Sequence, residues 1–181
     1  MQINKQKIGI DKGEIKIDTA KFKDFSQKCS KELPNEIDKI LQNANEKKAC
    51  SISFIITDDF MGGFYLAWDY STDIDEYYEW GNASYPECLY QPLVDIVDAD
   101  EEIDFCTPSN EKWDFAETLL SVLAKNIKEI PDDIFEKNGF KREDVLFFAT
   151  MGDGDYIEEM LQASIKLFNA KETLEAYGLA E

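Results

Sequence analysis

Ser51-Ile52-Ser53-Phe54-Ile55-Ile56-Thr57 is an apolar, β-branched run without a breaker, and Phe64-Tyr65-Leu66-Ala67-Trp68-Asp69-Tyr70 follows it across the acidic, glycine-bearing link Asp58-Asp59-Phe60-Met61-Gly62-Gly63. The second run alternates and puts Phe64, Leu66, Trp68 and Tyr70 on one face. Two such runs around a Gly-Gly turn predict a β-hairpin in an antiparallel part of a sheet. Val145-Leu146-Phe147-Phe148-Ala149-Thr150-Met151 is a continuous apolar strand of the kind buried on both faces.

Helical periodicity fills much of the remainder. Phe22, Phe25 and Cys29 share a face of a helix over about 19–31, which Leu33-Pro34 is expected to break. A second helix then carries Ile37, Ile40, Leu41 and Ala44 to about Lys47. Thr107 and Pro108 read as the cap and first position of the longest helix, with Trp113, Ala116, Leu120, Leu123, Ile127 and Ile130 as its stripe. Pro131 ends it, and a further turn over 132–138 stops at Gly139. Asp155 reads as the cap of another helix, with Glu158 as its capping-box partner and Ile157, Leu161, Ile165 and Phe168 as its core face. A last helix runs from Lys171 to Tyr177 and closes at Gly178. Lys7–Ile17 reads as a hairpin or arm around Asp11-Lys12-Gly13. Residues 71–108 show no clear period, apart from a short element between Leu89 and Val97. These elements predict one α+β domain over 1–181, with residues 1–18 as the arm and a mixed or mainly antiparallel sheet packed against several helices.

Charge is spread unevenly. The chain has 181 residues and a net charge of −19. Residues 49–111 hold 15 acids and no lysine or arginine, while the flanks carry net +3 (1–48) and −7 (112–181). Six of the eight tyrosines lie in that stretch, which makes it the natural place to look for a surface. Tyrosine suits half-exposed interface positions, and acids interleaved with aromatics suit a cationic partner. The centre of this pattern is Asp75, Glu76, Tyr77, Tyr78, Glu79 and Trp80, the candidate partner-binding residues. Such acidity argues against phosphate-led nucleic-acid binding and against anionic membranes. No apolar run reaches a membrane span, and no signal-like segment opens the chain. The four cysteines form no C-x-x-C pair and read as reduced thiols in a cytoplasmic protein.

Catalytic signals are sparse. The absence of histidine excludes Ser–His and Cys–His dyads and His-ligated zinc. Asp153 and Asp155, at the carboxyl end of a buried strand, are the best metal candidate, with oxygen ligands suited to a divalent cation, and a cysteine-only zinc site is a lesser alternative. Against that reading, Asp155 already has work as a cap. No catalytic residues and no cofactor are therefore expected. The expected function is binding of a basic protein partner, as an immunity-like protein binds a toxin domain. A structural or regulatory homo-oligomer is the alternative, and a carboxylate enzyme at Asp153 and Asp155 the weaker one.

Val145–Asp155, with Glu158-Glu159-Met160-Leu161, Ser164, Leu167 and Asn169 after it, resembles the end of a bacterial family, domain of unknown function 4303. Phe64–Tyr70 and Tyr77–Glu87 resemble that family's middle. Gly154 departs from the pattern, which has Ser or Asp there. The resemblance implies a mixed α/β domain of bacterial origin and brings no catalytic residue with it. Small acidic bacterial proteins of this kind are similar in type to immunity proteins.

Overall fold

β1 (Cys50–Ile56) and β2 (Phe64–Asp69) form the expected antiparallel hairpin, with Phe54 opposite Leu66 and Ile52 opposite Trp68. This computed structural model describes residues 19–180, so the expected hairpin over Lys7–Ile17 lies outside the described residues. β3 (Asn82–Ser84) joins β2 antiparallel, and β4 (Val145–Met151) joins β1 parallel. The order β3-β2-β1-β4 is a mixed sheet packed with helices, an α+β fold. Every residue of β1 and of β4 is buried, as expected for the apolar run of β4.

One face of the sheet carries the main core. Phe54 and Phe147 point into it, Phe54 meeting Phe64 and Phe168, and Phe147 meeting Phe135. The helices are α1 (Lys23–Gln42), α2 (Gln91–Ala99), α3 (Asn110–Lys128), α4 (Asp132–Glu136), α5 (Ile157–Phe168) and α6 (Lys171–Ala176), and α1 to α5 contribute buried side chains to this core. Among the described residues no helix is long and apolar enough to cross a membrane. Cys29, Cys50 and Cys88 are buried, Cys106 is exposed, and all four are free thiols.

Three local expectations are corrected. First, α1 runs straight through Pro34, which removes one helix hydrogen bond at a cost of about 3 kcal/mol. Phe25, Cys29, Leu33, Ile37, Ile40 and Leu41 are all buried along one continuous stripe, each large side chain contributing roughly 1.5–3 kcal/mol. Packing outweighs the local penalty. Second, Ser109 rather than Thr107 caps α3, its hydroxyl accepting from the Lys112 N–H at 3.0 Å. The Thr107 hydroxyl is held by Asp104, which also accepts the Cys106 N–H, so a separate turn closes before the helix begins. Those bonds, Thr107 first, hold the Asp104 carboxyl below its ordinary pKa.

Third, Tyr156 and not Asp155 precedes α5, with a left-handed φ of 64° and no side-chain cap. The buried residues of α5 are Met160, Ser164 and Phe168, four apart, while Leu161 and Ile165 are only half-buried. The reason is β4. It is an edge strand, and its outward backbone groups need partners. Asn169 accepts the Phe147 N–H at 2.9 Å and donates to the Phe147 carbonyl at 2.7 Å. Ser164 Oγ accepts the Ala149 N–H at 2.8 Å and lies 3.0 Å from the Ala149 carbonyl. Two polar side chains thus stand where a fifth strand would pair, and they rotate α5 toward them.

Candidate functional site

Strand alternation sends Ser53, Ile55, Tyr65, Ala67, Phe148 and Thr150 to the face away from the main core. The segment after β2 lies across this face. Its single helical turn, Tyr77–Glu79, sets the Tyr77 ring edge-on to Phe148 at 5.7 Å, with the hydroxyl 3.2 Å from Thr150 Oγ1. Trp80 meets the same Phe148 at 5.8 Å. These two rings pin the segment, and the residues between and before them face outward. Asp75, Glu76 and Glu79 are exposed, and Tyr78 is 69% exposed with its ring against Tyr77 at 5.8 Å. Beside them, Tyr65 on β2 stacks on Tyr85 at 5.4 Å, and Tyr85 is 76% exposed. Burial, then the neighbouring Tyr85 and Tyr77, push the Tyr65 phenol above its ordinary pKa.

The six residues proposed from sequence thus divide by role. Tyr77 and Trp80 are half-buried anchors, and Asp75, Glu76, Tyr78 and Glu79 form the outward surface. Among the described residues no lysine or arginine pairs with Asp75, Glu76 or Glu79. Acids left without counter-charge on a compact surface repel one another and attract cations.

Asp153 and Asp155 lie at a second place, the carboxyl ends of the parallel strands β1 and β4. Both are exposed, and among the described residues no group of three or more metal-binding side chains comes together. The nearest carboxylate is Asp58, after β1. It accepts the Asp155 N–H at 3.1 Å, while its own N–H faces Asp153 Oδ1 at 3.4 Å. A cation is already supplied there by the chain. Lys112, on the first turn of α3, is 0% exposed and its Nζ lies 3.0 Å from Asp58 Oδ1. The same Nζ stands 5.9 Å over the Tyr156 ring, which also rests on Trp113, and the Tyr156 hydroxyl donates to the Ser109 carbonyl. Burial, together with the Asp155, Glu159 and Asp58 charges, raises the Tyr156 phenol pKa, and the Ser109 bond opposes this. The left-handed backbone at Tyr156 puts the ring into this slot. The arrangement ties three segments together.

Lys112 was missed from sequence, although a signal was present. Lys112, Ala116, Leu119, Leu123 and Ile127 keep the spacing of one buried face, and all five are buried. Gly154 is explained by the same cluster. At φ 77° a Cβ on it would sit 2.4 Å from Asp58 Cγ. Gly154→Ala is therefore expected to lose about 1–3 kcal/mol in denaturant unfolding, from left-handed strain and the displaced Asp58. A loss below about 0.5 kcal/mol, the range of a neutral surface change, would show that the two loops part freely.

Comparison with protein-family models, with curated proteins and with solved structures gave no match. The resemblance to domain of unknown function 4303 therefore rests on the quoted segments, Val145–Asn169 with Phe64–Tyr70 and Tyr77–Glu87, and draws nothing from these comparisons. Two of those residues, Ser164 and Asn169, hydrogen-bond the edge of β4.

Proposed function

We propose that this chain is a binding protein whose acidic, tyrosine-bearing face takes a basic protein partner, in the manner of an immunity protein blocking a cationic toxin domain. One observation carries the reading. Asp75, Glu76, Tyr78 and Glu79 stand outward on a segment pinned to the sheet, beside the stacked Tyr65–Tyr85 pair, within 63 residues that contain no lysine or arginine. Pinning matters because a pre-ordered surface loses less entropy on binding. Exposed acids speed encounter, and rigid tyrosines supply contact area at low entropic cost.

The test uses the immobilised protein to capture a partner from its own cell's lysate at low salt, followed by kinetics on the purified pair. Glu76→Lys with Glu79→Lys is expected to slow association by at least about tenfold at low salt, and the wild-type rate is expected to fall as salt rises. An unchanged association rate would remove this surface from the interface. Recovery of only the chain's own copies would favour the homo-oligomer.

A further inference from the structure

We propose that the outer edge of β3 is the docking line for that partner, which adds an extended, lysine- or arginine-bearing strand to the sheet. The proposal rests on the acidic-surface reading and goes beyond it by naming the mode of recognition.

Among the described residues the two edges of the sheet are treated in opposite ways. At β4, Ser164 and Asn169 answer the outward N–H and C=O groups of Ala149 and Phe147. At β3, Asn82, Ala83 and Ser84 face Trp68, Ala67 and Leu66 on the inner side. On the outer side no backbone group of these three residues has a hydrogen-bond partner among the described residues. Edge strands are usually blunted by a lysine, a proline within the strand, a bulge or a covering element. Gly81-Asn82-Ala83-Ser84-Tyr85 contains no charge and no proline. Gly81 has open space where a side chain would be, and Asn82 and Ala83 are exposed.

What flanks this edge specifies the occupant. Tyr85, the residue after β3, presents a ring braced by Tyr65. A lysine or arginine on an added strand would lie over that ring or meet Glu79 and Glu87, the exposed acids bracketing the strand in sequence. Main-chain pairing would then supply register, and alternate side chains specificity. A second copy of this chain fits poorly, because each copy brings its own exposed acids, Glu79 and Glu87, to the seam.

The experiment titrates the protein with a blocked peptide of alternating lysine and valine. A second peptide has the same sequence but is N-methylated at every backbone amide, so that neither of its edges can donate to β3. Both carry the same charge, and only the first can pair with a strand edge. Amide exchange is read by NMR. The expected result is tighter binding of the unmethylated peptide, with exchange in Asn82–Ser84 slowed at least about tenfold. Equal binding of both peptides without protection at β3 would overturn the edge proposal and leave the acidic-surface reading standing. Failure of both to bind would overturn the two together. Concentration-dependent protection of β3 without peptide would assign the edge to a second copy instead.

Discussion

Lys112→Ala is expected to destabilise the fold by about 3–5 kcal/mol, the usual cost of removing one partner of a buried ion pair. The side chain is 0% exposed, whereas that of Asp58 keeps 23% of its surface in solvent, which favours the lower end of the range. Without the ammonium, Asp58 retains the Asp155 N–H, too little to replace a full counter-charge. The aliphatic stem of Lys112 also leaves a gap beside Tyr156. The double variant Lys112→Met with Asp58→Asn separates these causes. It removes both charges, fills the space, and keeps a carbonyl oxygen for the Asp155 N–H. Its stability in guanidinium unfolding is expected to return to within about 1 kcal/mol of wild type, since replacing a whole buried pair is often nearly neutral. A single variant that loses less than about 1 kcal/mol would mean the pair contributes no more than a surface salt bridge.

Ser164→Ala combined with Asn169→Ala is expected to lose about 2–5 kcal/mol and to expose β4 to pairing with other chains. Each substitution orphans a backbone N–H and weakens the satisfaction of a carbonyl, at Ala149 and at Phe147. The two side chains share none of these partners, so their effects are expected to add. Asn169→Asp is a sharper probe. It keeps an acceptor for the Phe147 N–H but aims a carboxylate at the Phe147 and Ile165 carbonyls, to which the amide now donates. It should be at least as damaging as alanine. Equilibrium unfolding gives the energies, and light scattering on warming reports the released edge. A double variant that stays as stable and as monodisperse as wild type would deny the capping role.

Legibility followed the range of the interaction. The hairpin was readable because alternation in Phe64–Tyr70 is a property of neighbouring residues, and β4 because a run of apolar residues needs no partner to be recognised. The same local rules misled at Pro34 and Asp155. At Pro34 a stripe of core contacts along all of α1 outweighs the proline. Near Asp155 the turn is shaped by Asp58, and Tyr156 by Lys112, Trp113 and Ser109. Residues 71–85 lacked a period because they form a cover held at two points, Tyr77 and Trp80, whose receptor Phe148 lies far along the chain.

The composition alone established the electrostatic character, because no folding can place a lysine from within 49–111 beside its acids. Local pattern established the hairpin, the buried β4 and the main helical stripes, because burial imprints its period on adjacent residues. Tertiary structure alone decided which acids face outward, which sheet edge is sealed, and that Lys112 neutralises Asp58. These depend on meetings between distant residues, 54 apart for Lys112 and Asp58, and a linear spacing carries no record of them.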